Sequence, residues 1–323
     1  MKQMRKLGAL LMAVLICMSL TAPATAADWK QIKIATEGAY PPWNYFDESG
    51  KLVGFEIELI KDLCGRMNAE CEVVTQKWRG IIEGLNKGKY DAIIAAMSIT
   101  EPRKEKVTFS RSYADTPNIF IVRKDNPLAD FKSEIEHLTL DDLSPAEQSA
   151  LDALVNALKG KVIGVQVATI NQKFADEYLG EHAEIRIYDF QHTVDLELYQ
   201  GRLDALLGGM AYWVPLLKSE QGKEYKIIGP QMTGGPFGSG IGVAVRHKDQ
   251  ALADMFSKAI DAALRDGTIK KLAEFGYENL EFAGPYYFSP EEEIKNNPLG
   301  MIFFNIFYGL RNFQMNRLPV SGR

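Results

Sequence analysis

Residues 161–207 read KVIGVQVATINQKFADEYLGEHAEIRIYDFQHTVDLELYQGRLDALL, and this stretch decides the fold. Its apolar residues recur with the periods of short strands and amphipathic helices in alternation. The pattern predicts strand 161–165, helix 170–179, strand 184–188, helix 194–200 and strand 205–207. Strands that alternate with helices are typical of βαβ units. The stretch therefore predicts an α/β unit with a largely parallel sheet.

The half of the chain before this stretch repeats the same alternation. It predicts strand 32–35, helix 55–67, strand 72–74, helix 78–87 and buried strand 90–96, with 108–122 irregular at first and then extended. A charged stretch, 130–159, contains a helix over 145–158. A crossover loop at 229–242, a strand at 241–245 and a helix at 249–265 complete the pattern. Two α/β units are therefore predicted in series.

The chain has 323 residues, with 37 Lys and Arg, 42 Asp and Glu and 46% hydrophobic residues. This length allows one large or two ordinary domains, and this composition excludes intrinsic disorder and a disulfide-dense mini-protein. The net charge of −5 argues against nucleic acid as the main partner. The four histidines lie in polar segments and are predicted at the surface. The sequence contains no HExxH, nucleophile-elbow or phosphate-loop motif, so no catalytic residue, metal or cofactor is predicted.

The first 26 residues have the three parts of a secretory signal peptide. Three basic residues precede the apolar run 7–20, and the small residues 24–26 follow it. The run is shorter than the roughly 20 residues that span a bilayer, and a retained membrane anchor is the alternative. Cleavage before Ala27 removes three positive charges, which leaves 34 basic against 42 acidic residues and a charge of −8. We therefore expect export to the periplasm.

Cys64 and Cys71 would meet an oxidising compartment after export, where a disulfide forms and persists. One continuous helix would hold their Cα atoms too far apart for a disulfide, because each residue adds about 1.5 Å of rise. Residues 68–69 are predicted to end the helix, so that Cys71 begins the next strand. A disulfide is predicted between the helix end and the strand start, with two free thiols as the alternative.

Polar and aromatic residues follow the predicted strands, at the edge where open α/β sheets bind ligands. Glu37 follows the first strand, and Tyr40 precedes two prolines that stiffen its loop. Trp78 follows another strand and has polar neighbours. Packing of the core is the alternative role for the two aromatic residues.

Two further segments suit a negatively charged group. Ser98 and Arg103 follow the buried strand 90–96, and an arginine can grip a carboxylate with two parallel hydrogen bonds. A surface position beside lysines is the alternative for Arg103. The segment from Gln166 to Thr169 joins a strand to a helix, where backbone N–H groups and a hydroxyl can bind an anion.

Short motifs in a fixed order resemble the polar-amino-acid branch of periplasmic substrate-binding proteins, and above all its opine-binding group. They are GAYPP (38–42), GFEIEL (54–59), SITEPR (98–103), GRLDA (201–205) and DGT (266–268). The resemblance runs from about residue 29 to about residue 282, and Cys64 and Cys71 match a disulfide of that branch. The insertion at 130–159 favours the opine-binding group.

The resemblance implies a two-lobed α/β fold of type II, with two crossover strands between the lobes. Lobe 1 would comprise residues 27–116 and 236–283, and lobe 2 residues 117–235, closing on a ligand between them. In lobe 1, Glu37 would meet a cationic side chain that Tyr40 and Trp78 sandwich. Arg103 would clamp an α-carboxylate, with the Ser98 hydroxyl beside it.

In lobe 2, the resemblance implies that Thr169 and the backbone after Gln166 add carboxylate donors. Basic-amino-acid binders of this branch carry an aspartate for the α-ammonium where this chain has Gly209, and serines where it has Ala95 and Ala96. A primary ammonium would find fewer acceptors here. We therefore expect an opine, whose α-nitrogen is substituted, or an arginine-like compound held mainly by its side chain.

The resemblance implies a receptor, without catalytic residues or cofactor, that delivers an amino acid or amino-acid derivative to an ABC permease. A dehydratase-like periplasmic enzyme on the same scaffold is the main alternative, because fold alone does not decide function. A sensor domain is a third, disfavoured class. The C-terminal extension, 284–323, lies outside the resemblance. Apolar residues at helical spacing over 298–315 predict contact with a membrane interface, docking on the chain's own lobe, or disorder.

Overall fold

The computed structural model describes residues 29–278. The strands are β1 (Gln31–Thr36), β2 (Ala39–Tyr40), β3 (Asn44–Phe46), β4 (Leu52–Val53), β5 (Glu70–Thr75), β6 (Ala92–Ile93), β7 (Thr108–Ala114), β8 (Asn118–Arg123), β9 (His137–Thr139), β10 (Val162–Gln166), β11 (Glu184–Tyr188), β12 (Ala205–Gly209), β13 (Tyr225–Thr233) and β14 (Ile241–Val245). The helices are α1 (Phe55–Met67), α2 (Ile81–Asn86), α3 (Glu101–Lys104), α4 (Pro145–Ala157), α5 (Ile170–Phe174), α6 (Gln191–Tyr199), α7 (Met210–Lys218), α8 (Gln250–Arg265) and α9 (Thr268–Glu278). A π-helical turn, Ala175–Leu179, continues α5.

Two separate sheets carry the fold. The first has the order β5-β1-β6-β14-β7, and the second has the order β11-β10-β12-β8-β13-β9. In each sheet three neighbouring strands are parallel, as the βαβ pattern predicts. The strands that enter or leave a sheet by crossing between the two are β7, β8, β13 and β14. They pair antiparallel with their neighbours, except that β13 runs parallel to the edge strand β9. The sheets are therefore mixed rather than largely parallel.

The chain passes between the sheets twice. It leaves the first sheet at the end of β7 and enters the second at β8, so the first crossing covers residues 115–117. It returns from β13 to β14 across residues 234–240. Two crossings between two sheets make the molecule two-lobed, and the space between the lobes is bordered by both crossings.

Each lobe has its own apolar core. In lobe 1, α8 packs against the sheet through Leu252, Phe256 and Ile260, which are buried and spaced so that they lie on one face of the helix. In lobe 2, Phe120 and Phe174 are fully buried and pack edge to face. Each such side chain stabilises the fold by about 1.5–3 kcal/mol, which makes each lobe a stable platform for the loops that it carries.

Cys64 and Cys71 form the predicted disulfide, with Cα atoms 6.2 Å apart. The helix ends as expected, because Asn68 adopts a left-handed conformation and its backbone N–H caps the last turn of α1. β5 then begins at Glu70 and runs parallel to β1. The bond thus joins the end of α1 to the start of β5.

Several sequence predictions differ from the structure at element ends. The helix predicted at 78–87 begins only at Ile81, because Gly80 takes a left-handed conformation just before it. The strand predicted at 90–96 forms ladder pairs only over Ala92–Ile93, and Ala96 turns the chain with φ of 48°. The region 108–122 forms a strand from its first residue, because β7 pairs with β14 there.

Two other expectations are also corrected. The crossover loop predicted at 229–242 is shorter, because residues 229–233 extend β13 beyond an irregularity in its pairing with β8. His192 is not a surface residue like the other histidines: it is partly buried on α6, and burial lowers its pKa to about 4.

The predicted signal peptide and the predicted C-terminal extension lie outside the described residues. Within residues 29–278, the helices are too short or too polar for any of them to cross a bilayer.

Candidate functional site

A cleft between the two sheets brings together all nine residues that the sequence singles out as ligand contacts. From lobe 1 come Glu37, Tyr40, Trp78, Ala96, Ser98 and Arg103, and from lobe 2 come Gln166, Thr169 and Gly209. Glu37 follows β1, Gln166 ends β10 and Gly209 ends β12, so the cleft lies at strand ends in both lobes. The structure shows their assembly, while the role of each residue stays a prediction.

Arg103 supplies a positive charge inside the cleft. Its Nη1 donates to the Ser98 carbonyl at 2.9 Å, and its Nη2 approaches the Ala168 carbonyl of lobe 2 at 3.4 Å. The guanidinium lies 5.2 Å from the Trp78 ring centroid, and burial lowers its pKa to about 10. Among residues 29–278, no carboxylate forms an ion pair with Arg103. The site therefore presents a guanidinium whose charge is not matched by the protein around it.

Glu37 supplies a negative charge in the same cleft. Its Oε1 accepts a hydrogen bond from Gln166 Nε2 of lobe 2 at 2.9 Å. Burial raises the pKa of Glu37 to about 7, although hydrogen bonds from Gln166 and from the Trp78 backbone oppose that rise. In the described part of the chain, Glu37 has no basic ion-pair partner. The cleft thus suits a ligand with a carboxylate for Arg103 and a cation for Glu37.

Contacts across the cleft hold the lobes together in the structure. Trp78 Nε1 donates to the Ala168 carbonyl at 3.2 Å, and Arg79 pairs with Asp189 at 2.8 Å at the exposed mouth. Together with the Glu37–Gln166 hydrogen bond, they join residues of lobe 1 to residues of lobe 2. The conformation is therefore a closed one.

Thr169 is less available than the sequence predicts. Its hydroxyl donates to the Gln166 carbonyl at 2.7 Å and accepts from Gln172 N–H at 3.1 Å, capping α5. The Ala168 N–H donates to Gln172 Oε1 at 2.7 Å. These bonds fix the loop after β10 in shape. Direct donation from the Thr169 hydroxyl to a ligand would require the bond to Gln166 to break.

Sequence reasoning did not single out Glu56, a fully buried carboxylate that supports the cleft. Its Oε1 accepts from the Ala96 N–H at 2.7 Å and from the Tyr113 hydroxyl, and its Oε2 accepts from Asn44 Nδ2 at 2.6 Å. Asn44 Oδ1 in turn accepts from the Gly38 N–H at 2.7 Å. One side chain therefore fixes two of the three loops that carry the lobe 1 contacts, those after β1 and after β6.

Replacing Glu56 with glutamine is expected to lower the free energy of unfolding by about 2–4 kcal/mol. A glutamine accepts through one oxygen, so buried donors that now meet the carboxylate lose their acceptor, at about 1–3 kcal/mol each. Urea unfolding followed by circular dichroism measures the change. Glu58→Gln on the same helix is the control, because the exposed Glu58–Lys61 pair should contribute less than about 1 kcal/mol. Equal stability of the two variants would contradict the supporting role of Glu56.

The lobe 2 wall of the cleft includes a second residue that the sequence did not single out. Gln191, 3% exposed, begins α6 and lines the same cleft as Gly209 and Tyr40. A polar residue at the start of a helix does not by itself predict a position in the cleft. The position of Gln191 depends on the packing of α6 against β12. Among the described residues, no group of three or more His, Cys, Asp or Glu could hold a metal ion.

Known proteins resemble this chain in sequence and in fold. The family model of the bacterial extracellular solute-binding proteins, family 3, matches residues 32–275. The octopine-binding periplasmic protein of Rhizobium meliloti is 37% identical over 279 residues, covering 80% of this chain and 95% of that protein. The L-arginine-binding protein of Pseudomonas aeruginosa is 34% identical over 277 residues, covering 85% and 96%. An ancestral arginine-binding protein, solved bound to arginine, matches with a TM-score of 0.63 and 29% identity over 76% and 97%.

Proposed function

This chain belongs to family 3 of the bacterial extracellular solute-binding proteins, and we propose that it is a periplasmic receptor for a cationic amino acid or an opine. It would deliver this ligand to an ABC permease. The observation that carries the proposal is the pair of unmatched charges in the cleft, Arg103 and Glu37. The similarity to octopine-binding and arginine-binding proteins supports the same ligand class. The match to a solved relative confirms the predicted two-lobed α/β fold of periplasmic binding proteins.

The charges of the cleft define the proposed pose of the ligand. The ligand carboxylate meets the Arg103 guanidinium, whose fork matches two carboxylate oxygens. The cationic end meets Glu37, and the faces of Trp78 and Tyr40 flank the chain between them, where an aromatic ring attracts a cation. Ser98 adds a hydroxyl beside the carboxylate. A ligand that satisfies both charges replaces the water that would otherwise solvate them.

Lobe closure is the proposed mechanism. A ligand that contacts both lobes binds the closed state more tightly than the open state. This difference in binding free energy shifts the chain toward the closed state. The lobe boundaries at 116–117 and 235–236 remain predictions. They fall close to the crossings at 115–117 and 234–240, and residues of those crossings are the natural hinges.

The periplasm is the proposed location. The relatives named above include a protein described as periplasmic, and the first 26 residues of this chain have the pattern of an export signal. The disulfide between Cys64 and Cys71 suits an oxidising compartment. The relatives are binding proteins, which supports a receptor over the dehydratase-like enzyme.

Native mass spectrometry of the full chain, purified from a bacterial periplasm, tests the function. The expected spectrum shows the protein with one additional mass that matches an arginine-derived compound, and incubation leaves that mass unchanged. Conversion of the bound compound into a product would overturn the receptor and support the enzyme.

Binding of L-arginine is expected to weaken about tenfold between pH 8 and pH 6, because the pKa of Glu37 is about 7. The cationic side chain binds the ionised carboxylate, and that form is depleted as the pH falls below the pKa. Calorimetric titration at both pH values measures the change. L-citrulline is the matched control, because its neutral side chain does not need an ionised Glu37. A pH-independent affinity for L-arginine would contradict the pairing.

A further inference from the structure

The backbone of Tyr40 is fixed to lobe 1. Tyr40 ends β2, and its carbonyl accepts a hydrogen bond from the N–H of Trp43, which is buried in the lobe 1 core, at 2.9 Å. Asn44, the residue after Trp43, accepts from the Gly38 N–H at 2.7 Å and donates to Glu56 at 2.6 Å. Hydrogen bonds on both sides of Tyr40 therefore hold its loop against lobe 1.

The side chain of Tyr40, in contrast, packs on lobe 2. Its ring stacks on the Tyr212 ring of α7, with centroids 4.8 Å apart and 20° between the two planes. Tyr212 is buried, and its hydroxyl donates to the Asp195 carboxylate on α6, which fixes the ring in place. Tyr212 belongs to an apolar cluster of lobe 2, and Tyr40 packs against that cluster. The stack is therefore a direct contact between the two lobes.

The absence of a side chain at Gly209 makes room for this contact. A Cβ atom at residue 209 would lie 3.0 Å from the Tyr40 Oη, which is closer than most Cβ contacts. The backbone of Gly209 forms a hydrogen bond with the Tyr40 hydroxyl, and burial raises the pKa of that hydroxyl. Tyr40 thus reaches the end of β12 in lobe 2, and a larger residue at 209 would crowd it there.

We propose that Tyr40, Gly209 and Tyr212 form an interlobe latch, in which contacts between the protein's own groups stabilise the closed arrangement of the lobes. Among residues 29–278, the lining of the cleft includes Tyr40 and Gly209 but not Tyr212. Tyr212 is therefore a positioning residue, which acts on ligand binding through lobe closure. The inference goes beyond the proposed receptor function, because the latch forms without a ligand.

The latch exists only when the lobes are closed. Because the Tyr40 loop is fixed to lobe 1 and Tyr212 is buried in lobe 2, opening separates the two rings. A contact of this kind shifts the equilibrium toward the closed state by its own free energy. The apparent affinity of a ligand falls with the fraction of chains in the binding-competent state. Loss of the latch should therefore weaken the binding of every ligand by the same factor, whatever the ligand's chemistry.

Calorimetric titration with octopine and with L-arginine tests the uniform loss. Tyr212→Leu removes the aromatic ring, and both affinities are expected to fall by one common factor of at least about fivefold, because the stacked pair and its buried area are lost. Tyr212→Phe keeps the ring and loses only the hydrogen bond to Asp195, so this control should lose less than about threefold. Unchanged affinities in Tyr212→Leu, or a loss for one ligand alone, would overturn the latch.

Small-angle X-ray scattering of the ligand-free full chain tests closure directly. Tyr212→Leu is expected to have a larger radius of gyration than wild type, and saturating L-arginine should return it to the value of the wild-type complex. Gly209→Ala crowds the Tyr40 hydroxyl but leaves the lobe 2 core intact, so it should show the same increase even if Tyr212→Leu fails to fold. Equal ligand-free radii for wild type and the folded variants would overturn the latch. Failure of wild type to bind either compound would instead contradict the receptor function, and the ligand-free comparison would still decide the latch.

Discussion

Replacing Arg103 with alanine is expected to weaken the binding of octopine and of L-arginine by about a thousandfold. Removal of one partner from a buried charge pair costs about 2–5 kcal/mol, and about 4 kcal/mol corresponds to that factor. Arg103 has no carboxylate partner in the described part of the chain, so the ligand carboxylate would be the group that its fork pairs with. Calorimetric titration of wild type and variant measures the loss.

Two further variants separate the roles of charge, geometry and position. Arg103→Lys keeps a positive charge but loses the bidentate fork, so it should recover only part of the affinity. Arg79→Ala removes a nearby arginine that pairs with Asp189 at the exposed mouth of the cleft. That exposed pair contributes about 0–1 kcal/mol, so the variant should lose less than about fivefold. Comparable losses in Arg79→Ala and Arg103→Ala would contradict the carboxylate clamp.

Replacing Glu37 with glutamine is expected to reverse the preference for a charged side chain. L-Arginine should bind about 10-fold to 150-fold more weakly, because hydrogen bonds to a charged partner contribute about 1.5–3 kcal/mol. L-Citrulline, a neutral compound of nearly the same shape, should bind the variant at least as well as it binds wild type. Paired titrations with both compounds measure the reversal, and parallel losses for the two would contradict the pairing with Glu37.

Glu37→Gln is also expected to change the melting temperature of the chain in the absence of ligand. The pKa of Glu37 is about 7 in the folded chain against 4.5 for an unperturbed glutamate, so the cost of burying this carboxyl grows as the pH rises from about 4.5 to about 7 and is constant above that. The glutamine variant lacks this penalty and should melt at a higher temperature than wild type at pH 8. Below about pH 4, where the wild-type carboxyl is neutral in the folded and in the unfolded chain, the difference should disappear.

The fold and most of the cleft were predictable because a change from apolar to polar residues in the sequence marks where a strand ends. Glu37, Ser98 and Gln166 each follow or end a predicted strand, and the ends of neighbouring strands meet at one edge of a sheet. Glu37 and Ser98 lie together in lobe 1 for this reason, and Gln166, at a strand end of the second sheet, meets Glu37 across the cleft. The disulfide was predictable in the same way, because the end of α1 and the start of β5 are close in sequence.

The supporting residues could not be predicted from local pattern. Glu56 resembles an ordinary surface acid of a helix and Gln191 an ordinary polar residue at a helix start, and the burial of both follows from long-range packing. Glu56 reaches Ala96 across 40 residues. The left-handed turn at Ala96 that ends the predicted strand early is part of the same network, because its N–H is held by Glu56. Long-range hydrogen bonds therefore decide both the strand end and the shape of the cleft.

Isothermal titration calorimetry of the purified full chain with octopine tests the central claim, that the cleft is a receptor site for an arginine-derived ligand. The predicted result is binding of one octopine per chain, with L-arginine weaker and L-leucine and L-glutamate giving only heats of dilution. Absence of binding by both octopine and L-arginine would contradict the receptor function. Equal binding of L-leucine or L-glutamate would contradict the pairing of Glu37 with a cationic side chain.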